Sequence, residues 1–163
     1  RDRYLTNFGG LGTITDSSDA ISNMSGSFTI FRYDLNGSAN TFTTTATASR
    51  ENGVTSFATT LSISLPKLSK EDNAELKLIC FGRPHIIVAD RNGAAFLLGR
   101  VNGCSLETAT MTTGGAFGDM SGYTMEFSSE ETAPPDFING ATTANPLAGM
   151  SSATVTVTGG TNS

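Results

Sequence analysis

The residues from Thr41 to Leu65 constrain the fold more than any other stretch. Thr41 to Ser49 leads through Arg50-Glu51-Asn52-Gly53 into Val54 to Leu65, two long Thr/Ser-rich runs joined across an Asn-Gly pair. Asn-Gly between two such runs is a hairpin signal, because both residues tolerate the positive φ that tight turns need. In the second run Phe57, Leu61, Ile63 and Leu65 share one parity, while Ser56, Ala58, Thr60, Ser62 and Ser64 share the other. Side chains alternate across a strand, so one face is apolar and the other is small, hydroxylated and uncharged. Neither run carries the Lys, Pro or inward charge that blunts an edge against strand addition. Either the rest of the chain covers this pair, or another subunit does.

A second hairpin is predicted from His85 onward. Ile86-Ile87-Val88 leads through Asp90-Arg91-Asn92-Gly93 to Ala95-Phe96-Leu97-Leu98, with a type I′ turn expected at the Asn-Gly pair. Asn102-Gly103 marks another turn, and a Gly-rich crossing from Gly114 to Gly122 precedes a strictly alternating strand. In that strand Tyr123, Met125 and Phe127 lie on one face, Thr124 and Glu126 on the other. Further strands are predicted over 11–15, 27–33 and 153–158, with Ala20 to Asn23 a separate short run and 16–19 a turn. The passage from Thr132 to Met150 reads as loop. One helix is predicted: Ser69 as N-cap, Glu71 and Asp72 in the first turn, a packing stripe of Leu76, Ile79 and Cys80, and Gly82 and Pro84 as the stop. About eight short strands, frequent turns and no βαβ rhythm define a mainly β fold, an antiparallel sandwich or barrel with one short flanking helix. The length suits one domain over 1–163, with an N-terminal arm over 1–10 and a polar C-terminal tail over 159–163.

Only 15% of the residues are charged, against an average of about 25%. Hydroxylated strands with so little charge suit sheets whose outer faces are partly covered, either by other parts of the chain or by neighbouring copies, the plain alternative being a Thr-rich β-domain in water. Net charge is −5, which argues against a sequence-independent grip on nucleic-acid phosphates. Cys80 and Cys104 stand apart from any CxxC pair or His/Cys cluster, so zinc is not expected; the two could form one disulfide, but two buried free thiols are expected. No apolar run reaches the roughly 18 residues of a membrane span, so no membrane insertion is expected.

The search for reaction chemistry returns no catalytic, cofactor or metal residues. His85, the single histidine, has no nucleophile motif around it and reads as structural. Glu126, Glu130 and Glu131 resemble paired glycosidase carboxylates only superficially, since there is no Trp to stack a sugar. The Gly-rich crossing lacks the Gly-Lys-Ser/Thr ending of a phosphate loop. Asp16, Asp19 and Asp34 lack calcium-loop spacing. The chain is therefore not expected to be an enzyme.

The order of features in the central stretch resembles a known family. Ile-Ile-Val-Ala-Asp-Arg-Asn-Gly, then Phe-Leu-Leu-Gly-Arg-Val-Asn-Gly, then Gly-Asp-Met-Ser-Gly-Tyr-Thr-Met-Glu-Phe followed by Glu130, Glu131, Pro134 and Pro135, is similar to the tail tube (major tail) proteins of tailed bacteriophages, of the kind found in phages of Bacteroidetes-type hosts. Phe8-Gly9-Gly10-Leu11-Gly12-Thr13-Ile14 is similar to their glycine-led first strand, and the likeness spans about half the chain. The resemblance implies a β-sandwich whose strands complete a barrel between subunits. Rings, hexameric in this family, would stack into a tube that passes DNA, in a virion assembled in the host cytoplasm. Partners would be other copies of the chain and further virion tail proteins. On this reading Ser56, Ala58, Thr60, Ser62 and Ser64 face the lumen, a neutral surface. Arg50, Glu51, Asn52 and Gly53, with the N-terminal arm and the loop over 132–150, make contacts between rings. The alternatives are another phage structural component (capsid decoration, head fibre or connector) or an extracellular binding module, against which the missing Trp counts.

Overall fold

The computed structural model describes residues 2–7, 13–17, 20–35, 40–66, 77, 79–116, 118–142, 144–150 and 153–159, with 2–7 and 153–159 as backbone. In chain order the strands are β1 (Asp2–Asn7), β2 (Thr13–Ser17), β3 (Ala20–Leu35), β4 (Thr41–Ser49), β5 (Val54–Pro66), β6 (His85–Ala89), β7 (Ala95–Leu98), β8 (Ser105–Thr112), β9 (Gly122–Glu131), β10 (Asp136–Ile138) and β11 (Ala153–Gly159). They form a mainly β, two-sheet sandwich. One sheet has seven strands, organised on β3; the other has four, in the order β4-β5-β9-β8.

β3 is a single strand of 16 residues where a break near Asn23 was expected. Gly26 takes φ 124°, a conformation costly for any other residue, so the chain bends there without leaving the ladder. This length lets β3 bond β2 and β1 antiparallel, and β10 and β11 in parallel. The expected antiparallel sandwich is thus observed, with two parallel pairings added on β3. The expected N-terminal arm is also corrected: Asp2–Asn7 is a strand between β3 and β6. Asp16 and Ser17 belong to β2 rather than to a turn, and β10 interrupts the expected late loop. Residues 160–163 of the expected tail lie outside the described residues, and Gly159 ends β11.

Two cores follow from strand parity. Between the sheets lie Leu61, Ile63 and Leu65 of β5, Tyr123, Met125 and Phe127 of β9, and Ile86 and Val88 of β6. The second core takes the opposite face of β6, Ile87 and Ala89, together with Ile21, Met24 and Leu97. A strand buried on both faces reads as a continuous apolar run, as Ile86-Ile87-Val88-Ala89 does. Each buried side chain of this size contributes about 1.5–3 kcal/mol.

The hairpin between β6 and β7 closes by a longer turn than expected. Gly93 N donates to Asp90 O at 3.3 Å, Asp90 N donates to Ala94 O at 2.8 Å, and Gly93 has φ 88°. This is a three-residue loop ending in a left-handed glycine rather than a two-residue type I′ turn. The Asp90 carboxylate accepts from the Asn92 N–H and stabilises it. Of the predicted helix, residues 69–76 lie outside the described residues, while 79–81 are helical. Ile79 is buried, but Cys80 is exposed and so lies off the packing stripe.

Candidate assembly surface

The four-stranded sheet has one face on the core and one in solvent. Thr59, Leu61, Ile63 and Leu65 are buried, whereas Ala58 and Thr60 are exposed and Ser56, Ser62 and Ser64 half-buried. The parity read from the sequence therefore separates core from outer face as expected. Register brings the neighbouring strands' side chains onto that outer face. Thr43 and Thr45 of β4 stand opposite Thr60 and Ala58. On the other side Ser62 faces Glu126, Thr60 faces Ser128 and Ala58 faces Glu130. On β8, Thr108 and Thr110 stand opposite Glu126 and Thr124, and the Glu107 carboxylate accepts from the Ser128 hydroxyl. Directly opposed residues share a face. The surface expected to be neutral is thus acidic, carrying Glu107, Glu126 and Glu130, and its four strands contain no Lys or Arg.

β8 was not predicted, and with it Glu107 and Met111 were missed. Alternate Thr108, Thr110 and Thr112 carried a period-two signal, but Leu106, Glu107, Ala109 and Met111 favour helices. A register shift between Leu106 and Thr108 breaks the alternation further.

Among the described residues, β4 and β8 are the open edges of this sheet. Beyond the end of β9 at Glu131, which pairs with Phe57, the tips of β4 and β5 project as a two-stranded hairpin. Ala46 to Ala48 and Val54 to Thr55 are exposed on it, as are Arg50, Glu51, Asn52 and Gly53 at its turn. The apolar residues that stay exposed include Met111 at 62%, Phe137 at 52% and Val54 at 56%. Phe137 ends a row of tilted rings: Phe42 and Phe96 have centroids 5.3 Å apart, Phe96 and Phe137 4.5 Å.

The titratable groups serve as braces. Arg100 donates to Asp16 at 2.7 Å and Asp136 at 3.0 Å, tying β2 and β10 to the loop after β7, and the Asp16 bond leads in raising its pKa. The Glu131 carboxylate accepts from Val101 N at 2.9 Å and Asn102 N at 2.8 Å, and Asn102 Nδ2 donates to Glu130 O at 2.8 Å. His85 Nδ1 donates to Gly99 O at 2.6 Å. Asp119 accepts from Ala116 N at 2.7 Å and Gly115 N at 2.9 Å, which holds its carboxyl below the usual range. Both cysteines are free, but only Cys104 is buried, so the expectation of two buried thiols is corrected at Cys80, which is exposed. Burial pushes the Cys104 thiol up to about 12, and the nearby Glu131 charge adds to this. The buried Ser129 hydroxyl lies beside that thiol, outside hydrogen-bond geometry but near enough to temper the shift slightly. In the segment over 132–150, Leu147 and Met150 are buried in the second core, while Thr132 to Pro134, Asn139, Gly140 and Asn145 are exposed. Among the described residues no group of three or more His, Cys, Asp and Glu could hold a metal ion, and no helix is long and apolar enough to cross a membrane.

No protein-family model and no curated protein matches the chain. A solved structure that resembles it is a chain from the "Virion of native gene transfer agent (GTA) particle", 11% identical, with a TM-score of 0.39 over 61% of this chain and 82% of that chain. A likeness this slight carries neither fold nor function across.

Proposed function

We propose that this chain is a structural virion subunit that joins copies of itself into rings, stacked as a tail tube, with the outer face of the four-stranded sheet lining the passage for DNA. The supporting observation is the pairing of that face with its two open edges. The face is a hydroxyl carpet with Glu107, Glu126 and Glu130 and without Lys or Arg on its strands. Phosphates gain no counterion-release binding there and are repelled by the carboxylates, so DNA slides without sticking.

The edges support closure. In the order β4-β5-β9-β8 every neighbour is antiparallel, so β4 and β8 run in opposite directions. Copies related by rotation about an axis along the strands then meet β8 to β4 with antiparallel pairing throughout. Such a head-to-tail contact closes into a ring and leaves no edge exposed. The exposed turn over Arg50, Glu51, Asn52 and Gly53 projects from the end of this sheet, where contact with the next ring would fall. The chain would act with other virion tail proteins and without catalysis. Negative-stain images of the purified protein test this: hollow rings or tubes are expected, and particles that stay monomeric at high concentration would sink it.

A further inference from the structure

The two open edges differ in chemistry, and the difference specifies how they fit. On β4 the core-facing side chains are Phe42, Thr44 and Ala46, since Phe42 stands opposite buried Leu61 and Thr44 opposite buried Thr59. On β8 they are Leu106, Ala109 and Met111, opposite Phe127, Met125 and Tyr123. Phe42 and Leu106 are both partly buried members of the rim of the same inter-sheet core. The core is therefore open at two borders. One ends in the ring row Phe42, Phe96 and Phe137, and the other in Met111, which is 62% exposed.

We infer that a second copy's β8 adds antiparallel along β4, with Met111 of one copy seated against Phe42 and its neighbouring rings in the next. This rests on the reading of the chain as a self-assembling subunit and adds the register and anchor of the joint. Direct pairing of Met111 with Thr44 sets Met111 on the diagonal to Phe42, within reach of a long side chain. A thioether against ring edges is a favourable contact, and a flexible Met fits an irregular gap between subunits. The same register sets Ala109 opposite Ala46, so the core-facing rows of the two strands stay aligned up to the register shift between Leu106 and Thr108. Pairing β4 with a second β4 would leave Met111 uncovered, whereas the head-to-tail antiparallel joint covers it.

Disulfide trapping tests the register. In a Cys80→Ser background, the full chain carrying Thr44→Cys and Met111→Cys is oxidised after assembly, because directly opposed strand residues come within disulfide range. A non-reducing ladder of multimers is expected, absent from either single-cysteine variant. Met111→Asp should raise the concentration needed for assembly at least about tenfold, while leaving the melting temperature of the monomer within a few degrees. Rings or tubes that form without the ladder, or that ignore Met111→Asp, would overturn the seam and leave the tube reading standing. Wild-type protein that never assembles would remove both.

Discussion

Placing lysines at positions 60 and 62 separates a lumen-facing sheet from a sheet that faces outward. Thr60 is exposed and Ser62 half-buried, so Thr60→Lys and Ser62→Lys each change stability by no more than about 0.5 kcal/mol. Lys at 62 also gains Glu126 directly opposite, an opposite-charge cross-strand pair of about 0.2–1 kcal/mol that offsets lost hydroxyl packing. The melting temperature of the double variant should therefore stay close to wild type. Its effect on DNA should be large. Each neutralised phosphate adds about 0.9 to the salt slope of duplex binding, and with the lysine at 62 paired to Glu126 the lysine at 60, opposite Ser128, supplies about 0.9 per engaged subunit. Affinity should then fall roughly threefold per engaged subunit for a fourfold rise in salt, multiplied over the subunits engaged. The assay compares linear with covalently closed circular duplex on assembled tubes, since a closed circle cannot thread a lumen. Linear DNA should be retained at low salt and released by higher salt, while the circle stays free. Equal binding of both forms would place the face on the outside of the tube. Unfolding of the variant monomer would show that this face is core and that the parity argument fails.

Three other outcomes follow from the same geometry. Gly93→Val should destabilise the chain by about 1–3 kcal/mol in chemical denaturation, because φ 88° is strained for a β-branched residue. An aromatic disulfide reagent at pH 8 should titrate one thiol per native chain, Cys80, and reach Cys104 only on unfolding, since Cys104 is buried and its thiol is pushed up to about 12. The Asp119 carboxyl is held low in the folded state, so its bonds to Ala116 and Gly115 persist above the ordinary carboxylate pKa and are lost as pH falls through the lowered value. The NMR shifts of both amides should titrate with a midpoint below the usual carboxylate range, and Asp119→Asn should abolish that midpoint.

What was legible in the sequence was whatever repeats with a period of two between strong turns. β4 and β5 match the structure nearly residue for residue, because Leu61, Ile63 and Leu65 face Phe127, Met125 and Tyr123 in one register and the Asn-Gly turn fixes the hairpin, whereas β9 runs on past the expected Tyr123–Phe127 to Glu131. β1 was read as an arm because Asp2, Arg3 and Asn7 look solvated, and only its docking between β3 and β6 makes it a strand. β10 is three residues long behind two prolines, too short for any periodic signal. The acidity of the outer face was hidden for a different reason. Glu126 and Glu130 lie far along the chain from Ser62 and Ala58, and strand order alone brings them alongside. A face belongs to a sheet, and no single strand reveals its charge.

On the proposed reading, the contrast between the sheets puts the joint between copies on the smaller one. In the larger sheet β6 is buried on both faces, and β1 and β10 both reach β3, so its pairing path turns back on itself. The smaller sheet has one face on the core and two ends without partners among the described residues. Nine residues of β4 carry no charge, and β8 carries only Glu107. Edges this bare invite strand addition unless their natural neighbour occupies them. Among the described residues, a single molecule of this chain closes one sheet on itself and leaves the other open at both borders. On the proposed reading, a second copy would complete those borders with backbone hydrogen bonds and apolar contacts.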